Sequence, residues 1–300
     1  MGWKLETGAA VERVTEGSDV LGESPVWCTR EQRLYWVDIR APALRALDPA
    51  TGHLLQWTLP DLCGAVALAQ GPRVLLATRT GICAFDLDHA RAPTPLVQPE
   101  PESLGNRLNE TRCDRRGRLW TGSMRDYGAA TTGALYRITR DLACARVLRD
   151  VTVPNALAWS PDDRTLYFAD TPDGRLRAYA FDPDEGTLGA MRVLVERDIL
   201  PGRPDGAAID ADGCLWSARY EGGCVARITP DGRIDRVIAI PATRVTACTL
   251  GGADLRTLYV TTARQKLSQA ELAAQPHAGA LFALHVSTPG LPEPRFTGLV

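Results

Sequence analysis

The sequence predicts an all-β fold, a six-bladed β-propeller whose four-stranded antiparallel blades surround a central channel. Three observations carry this. An apolar-aromatic motif returns six times along the 300 residues. Its spacing is that of a four-strand unit. Sustained 3.6-residue apolar periodicity is nearly absent, with one short helix expected at Leu267 to Ala274.

The copies follow in order. The first is Arg33-Leu34-Tyr35-Trp36-Val37-Asp38, then Ala46-Leu47-Asp48-Pro49. The second is Arg73-Val74-Leu75-Leu76-Ala77-Thr78, then Ile82-Cys83-Ala84-Phe85. The third is Gly117-Arg118-Leu119-Trp120-Thr121-Gly122, then Gly133-Ala134-Leu135-Tyr136. The fourth is Thr165-Leu166-Tyr167-Phe168-Ala169-Asp170, then Leu176 to Asp182. The fifth is Gly213-Cys214-Leu215-Trp216-Ser217-Ala218, then Cys224 to Ile228. The sixth is Thr257-Leu258-Tyr259-Val260-Thr261-Thr262, then Gly279 to Leu284. With Leu34, Val74, Leu119, Leu166, Leu215 and Leu258 equivalent, the steps are 40, 45, 47, 49 and 43 residues. Strands of about five residues fit four times into such a step. Turn chemistry separates them at Asp48-Pro49, Asp162-Asp163, Asp173-Gly174, Asp212-Gly213 and Asp231-Gly232. A two-domain all-β chain is the alternative. The copies run through without a linker, so residues 1–300 are expected to form a single domain.

Composition excludes several classes. The chain is 45% apolar and 23% charged with a net charge of -2, which is globular composition. Lys4 and Lys266 are the only lysines, yet 36 acids balance the 34 basic residues and no basic block stands alone. No nucleic-acid partner is expected. No apolar run approaches the ~18 residues of a membrane helix, so no membrane partner is expected. The segment Met1 to Thr15 lacks the apolar stretch of an export signal. The eight cysteines include no C-x-x-C pair and are expected as reduced, mostly buried thiols in a cytoplasmic protein. A monomer is expected, because blades bury their own faces.

No G-x-S-x-G, P-loop, H-E-x-x-H or G-x-G-x-x-G occurs, and His53, His89, His277 and His285 have no evident Ser or Cys partner. What remains is a recurrence of short polar residues just ahead of the strands. Gly22-Glu23-Ser24-Pro25, Asn106-Arg107-Leu108-Asn109-Glu110, Val153-Pro154-Asn155-Ala156 and Arg203-Pro204-Asp205-Gly206 precede copies one, three, four and five. Corresponding positions of a propeller converge at one mouth of its channel. A Glu, an Asp and two Asn meeting there make an all-oxygen cluster suited to Ca²⁺, Mg²⁺ or Mn²⁺. Singly, each segment reads as an ordinary turn or strand end. Their recurrence in register is what points to a site.

These segments resemble the SMP-30/gluconolactonase (regucalcin-like) family of six-bladed propellers. The resemblance spans nearly the whole chain, from Leu21-Gly22-Glu23-Ser24-Pro25-Val26-Trp27 to the run from Gly251 to Arg264, which is especially similar to bacterial sugar-acid lactonases. It implies one divalent cation held by Glu23, Asn155 and Asp205, with Ca²⁺ favoured and Mg²⁺, Mn²⁺, Zn²⁺ or Fe²⁺ as alternatives. It also implies that Arg107 hydrogen-bonds sugar hydroxyls, and that Asn109 reaches metal or substrate. Two departures stand out: Glu110 where the family usually has Asp, and Ala156 where it usually has Gly.

The expected activity is hydrolysis of an aldonolactone, a 1,4- or 1,5-sugar lactone, to the free sugar acid by a carboxylic ester hydrolase. A cation polarises the carbonyl and lowers the pKa of a bound water. Asp205 is the candidate catalytic residue, orienting or deprotonating that water. Two carboxylates against a +2 ion leave the site near neutral, so a neutral lactone enters and an anionic acid leaves. The alternatives are a hydrolase of non-sugar lactones or phosphotriesters, and a non-catalytic Ca²⁺-binding regulatory propeller. Trp27, Met124 and Tyr127 are the candidates for discriminating among sugars.

Overall fold

In the computed structural model, which describes residues 3–89, 92–101, 105–128 and 130–298, β-strands run through the chain in six sheets. Two short strands come first, β1 (Leu5–Glu6) and β2 (Glu12–Arg13). Blade one is β3 (Gly22–Cys28), β4 (Arg33–Asp38), β5 (Ala43–Asp48) and β6 (His53–Thr58). Blade two is β7 (Cys63–Leu68), β8 (Val74–Thr78), β9 (Ile82–Phe85) and β10 (Thr94–Val97). Blade three is β11 (Asn106–Cys113), β12 (Leu119–Arg125), β13 (Gly133–Ile138) and β14 (Cys144–Val151). Blade four is β15 (Pro154–Trp159), β16 (Thr165–Asp170), β17 (Leu176–Asp182) and β18 (Thr187–Val195). Blade five is β19 (Arg203–Ile209), β20 (Leu215–Tyr220), β21 (Cys224–Ile228) and β22 (Ile234–Ala239). Blade six takes β23 (Val245–Gly251), β24 (Thr257–Thr262) and β25 (Phe282–His285) from the end of the chain.

The fold is the expected six-bladed propeller, and the repeat motif is the second strand of each blade. Sequence reading missed how the ring closes. β2 pairs antiparallel with β25 and completes blade six, while β1 adds a fifth, parallel strand to blade five beside β22. Two-residue strands carry too little pattern to be read from sequence.

Each blade runs from buried to exposed. β7, β15 and β23 are buried throughout, because neighbouring blades cover both faces of an innermost strand. β6 and β14 are mostly exposed and polar or mixed. Between blades three and four the apolar layer is aromatic: Trp120, Trp159 and Phe181 meet edge to face at 5.7 to 6.1 Å between ring centres. The one α-helix among the described residues, α1 (Gln269–Ala274), lies within the expected segment and starts on a Ser268/Glu271 capping box. No helix among the described residues is long and apolar enough to cross a membrane. All eight cysteines are free, and only Cys144 is exposed.

The two ends of the channel differ. Past β25 the chain returns beneath the blades. Gly290 bridges Asp210, and Phe296 bridges Ala69. Near this end a cavity of about 50 Å³, lined by Arg112, Trp159, Thr249 and Glu293 among others, has room for a water or two and not for a sugar ring. The opposite end, where the innermost strands begin, carries the predicted site.

Candidate metal and substrate site

Strand register shows why the recurrent segments converge. In the six blades Gly22, Cys63, Leu108, Pro154, Pro204 and Val245 pair with Asp38, Thr78, Ser123, Asp170, Arg219 and Thr262, each four residues beyond its equivalent repeat residue. The next residues inward are Glu23, Gly64, Asn109, Asn155, Asp205 and Thr246. They form one ring around the channel. In every blade the ladder shifts by one residue close to this position. Such a bulge re-aims a side chain that an unbroken strand would direct into the blade. Ser24 (φ 52°) and Ala156 (φ 55°) follow Glu23 and Asn155 in the left-handed region. A glycine would adopt that conformation without strain at 156, yet Ala156 takes it too, fully buried, and the turn survives the Cβ.

The four predicted ring residues and Arg107 are all buried, at 3 to 8% exposure. A directed hydrogen-bond chain joins three of these residues across blades. Arg107 Nη1 donates to Asn109 Oδ1 at 2.7 Å, and Asn109 Nδ2 donates to Asn155 Oδ1 at 3.2 Å. Asn155 Nδ2 donates to Thr171 Oγ1 at 2.8 Å, whose hydroxyl donates to Pro204 O at 2.8 Å. The chain orients the Asn155 amide and leaves Oδ1 a second lone pair. Asn109 has its oxygen taken by Arg107 and its amide nitrogen by Asn155 and Pro204's counterpart in blade four, Pro154, at 3.0 Å. Arg107 is further fixed by Asp126, which accepts from its Nε at 3.0 Å and from Arg40 Nη2 at 2.8 Å. Nη2 of Arg107 has no hydrogen-bond partner among the described residues and is the atom left for a ligand.

Glu23 and Asp205 have no ion-pair partner among the described residues. Burial, and then the charge of Glu110, pushes the Glu23 carboxyl up to about 8. Burial, and then the charges of Glu23 and Glu110, raises Asp205 well above the usual carboxylate range. Two carboxylates that oppose each other in a dry ring beside an amide oxygen fit a hard divalent cation, which removes both penalties at once. No cluster of three His, Cys, Asp or Glu side chains occurs among the described residues. A third donor to a cation here would be the Asn155 amide oxygen, a donor type common for Ca²⁺ and unusual for Zn²⁺.

Other expectations resolve differently. Glu110 turns toward the channel interior, where Arg112 Nε donates to it at 3.3 Å and Arg112 also pairs with Glu293 at 3.1 Å. Burial raises its carboxyl to about 7. Trp27 is no sugar-discriminating residue: it is 2% exposed and stacks on Tyr259 at 6.0 Å, inside the packing of blades one and six. Tyr127 is on the rim, 76% exposed, with the Arg40 guanidinium 4.9 Å from its ring centre. Met124 is half-buried and pairs across from Arg107. Sequence reading missed Asp126, Thr171 and Arg40. They lie outside the repeat pattern, and nothing in their spacing marks them.

Residues 21–264 match the SMP-30/Gluconolactonase/LRE-like region family model, and the chain belongs to that family. A 6-deoxy-6-sulfogluconolactonase of Pseudomonas putida is 40% identical over 286 residues, covering 95% of this chain and 98% of that one. An L-arabinolactonase of Azospirillum brasilense is 35% identical over 285 residues, 93% of each chain. The crystal structure of the calcium-binding protein regucalcin from Agrobacterium tumefaciens superposes with a TM-score of 0.92 at 29% identity, covering 96% of this chain and 97% of that one. The expectation of a carboxylic ester hydrolase agrees with relatives named as lactonases.

Proposed function

We propose that the protein hydrolyses sugar lactones at the open mouth of the channel, with a divalent cation held by Glu23, Asn155 and Asp205. The observation that carries this reading is the ring itself: two buried, uncompensated carboxylates and an oriented amide oxygen. The relatives named for gluconolactone and arabinolactone support the substrate class, and the calcium-binding regucalcin supports Ca²⁺.

A bound cation supplies Lewis acidity toward the lactone carbonyl and lowers the pKa of water. The chain's own groups do the rest. Arg107, held on two sides by Asp126 and Asn109, offers Nη2 to a ring hydroxyl at fixed direction. Asp205, on the blade next to Asn155, takes the proton of the attacking water on a carboxylate oxygen. Water oxygen bonds to the carbonyl carbon, the ring C–O bond breaks, and the proton goes to the departing ring oxygen. The product is an open-chain acid and the balance needs no other reactant. The polar mouth favours polyhydroxylated lactones over apolar ones.

The test is a pH-drop assay on a panel of aldonolactones after chelation, with each divalent ion added back and spontaneous opening subtracted. Turnover restored by metal on one or two sugars is the expected result. No turnover by the folded protein on any lactone with any ion would overturn the reading and favour a cation-binding platform. An Asp205→Ala variant with normal metal content and normal turnover would remove Asp205 from the chemistry.

A further inference from the structure

One level above the ring, the six innermost strands place Leu21, Leu62, Arg107, Val153, Arg203 and Arg244 at corresponding positions. Blades three and six stand opposite each other in a six-bladed ring. Arg107 and Arg244 therefore stand on opposite sides of the mouth. Their surroundings differ. Arg107 is matched by the Asp126 carboxylate. Arg244 is 9% exposed, and its side chain makes no hydrogen bond or ion pair among the described residues. Its Nη1 is buried without a partner, and its guanidinium lies 5.8 Å from the ring centre of Tyr220.

A second buried cation, Arg219, stands on the other face of β20, toward blade four. It is 2% exposed, spends Nε and Nη2 on the carbonyls of Pro201 and Gly202 at 3.0 and 2.9 Å and has no carboxylate partner among the described residues. Burial pulls it down to about 10, against the pull of the Asp205 charge. Tyr220 lies against Arg244, and its phenol feels the charge of Arg244 and then that of Asp205. Gln265 Nε2 approaches its oxygen at 3.5 Å, leaving the O–H proton free to donate. The acid that helix α1 brings near, Glu271, is committed to capping Ser268 at 2.7 Å. Gln275 at the end of that helix accepts from Thr243 N at 2.8 Å and pins the backbone just before Arg244. A buried guanidinium group without an anion is costly unless a ligand supplies one.

We propose that Arg244, with Tyr220 beside it, forms an anion-binding corner of the mouth that takes a sulfonate, carboxylate or phosphate carried on the substrate lactone away from its reacting carbonyl. The proposal rests on the lactonase reading. Arg107 holds the neutral hydroxylated side and Arg244 the charged end, so the substrate lies across the mouth over the Glu23–Asp205 ring.

The experiment compares a neutral aldonolactone with lactones of the same ring bearing a terminal sulfonate, carboxylate or phosphate. Wild type, Arg244→Ala and Arg244→Lys are measured with the metal ion that supports turnover, and thermal unfolding checks each fold. Arg244→Ala should raise KM for the charged lactones about tenfold or more with kcat retained, the loss expected for one charge-assisted contact. It should leave the neutral lactone within about threefold, and Arg244→Lys should recover part of the loss. The order of KM among the three anions identifies which one the corner fits. Equal effects on charged and neutral lactones would overturn the proposal. If wild type opens no lactone, the lactonase reading falls and the corner is tested by calorimetry. Open-chain sugar acids with a terminal sulfonate, carboxylate or phosphate should then bind wild type more tightly than the plain acid, and Arg244→Ala should erase the difference. Equal binding overturns it.

Discussion

Glu23→Gln should stabilise the metal-free protein while impairing metal binding, two effects of opposite sign from one substitution. The Glu23 carboxyl is raised from an ordinary value of 4.5 to about 8, first by burial and then by the charge of Glu110. Its folded pKa thus lies above its unfolded pKa, and folding takes up a proton. The stability it contributes is complete below about pH 4.5 and is lost as pH rises through about 8. Within that window each pH unit is worth roughly 1.4 kcal/mol, so the chelated wild type loses on the order of 3 kcal/mol between pH 5 and 7 that a glutamine does not lose. For a chain of this size that is a Tm difference of about 5 °C, growing from pH 5 to pH 7. The assay is thermal unfolding of chelated wild type and Glu23→Gln across that range, repeated with Ca²⁺. Added Ca²⁺ should raise the wild-type Tm and raise the variant's much less, because an ion that binds only the folded state stabilises by its own affinity. A native-like variant whose Tm gap to wild type stays constant with pH would refute the argument that a dry, like-charged ring surrounds Glu23.

Asp126→Ala leaves the buried Arg107 without its carboxylate and should cost about 3 kcal/mol of stability, with KM for polyhydroxy lactones rising more than kcat falls; unchanged KM would show that Asp126 does not position Arg107. Ala156→Gly relieves a left-handed alanine worth about 1–2 kcal/mol but loses a buried methyl of about 0.8 kcal/mol and backbone restriction of about 0.5–1 kcal/mol. Its Tm should stay within about 2 °C of wild type, and a larger fall would mean the methyl packs better than its position suggests. Gly64→Ala places a Cβ 2.2 Å from Leu108 O and 3.0 Å from the Asn109 Cα; overpacking of about 1–3 kcal/mol is expected, with kcat/KM falling at least tenfold as Asn109 shifts, and activity within twofold of wild type would disprove that coupling.

The fold was legible because a propeller writes the same strand six times. Leu34, Val74, Leu119, Leu166, Leu215 and Leu258 each sit in a second strand, where two apolar faces demand the same residue types in every blade. The closing strands left no such trace: Leu5–Glu6 and Glu12–Arg13 are two residues long and pair at the outer edges of blades five and six, where the solvent side sets no pattern. The ring was legible for the same reason as the blades. Glu23, Asn109, Asn155 and Asp205 stand at one register position, so polar residues there break an otherwise apolar strand start. Asp126, Thr171 and Arg40 were not legible, since they act from loops of unequal length whose meeting depends on the closed ring. Arg244 falls between these cases. It is in register with Arg107, and extending the repeat by one residue in blade six would have exposed it.

The ring is not symmetric, and the asymmetry explains how a repeated fold makes a single site. At position 64 the innermost strand of blade two approaches Leu108 O so closely that only a glycine fits. At position 246 the hydroxyl turns away to donate to Gly22 O and to meet Thr261 Oγ1 at 2.9 Å. Blades two and six, which flank Glu23, therefore contribute no donor to the ring, and the proposed oxygen ligands come from blades one, four and five with Asn109 of blade three bonded to its neighbour. A cation held by these groups would meet no side-chain donor from blades two and six. The two arginines one level higher then bracket the mouth from blades three and six, Arg107 with its charge already matched and Arg244 with its charge unmatched. A repeat that supplies six equivalent positions thus yields a directional site through the residues that two of the blades leave out.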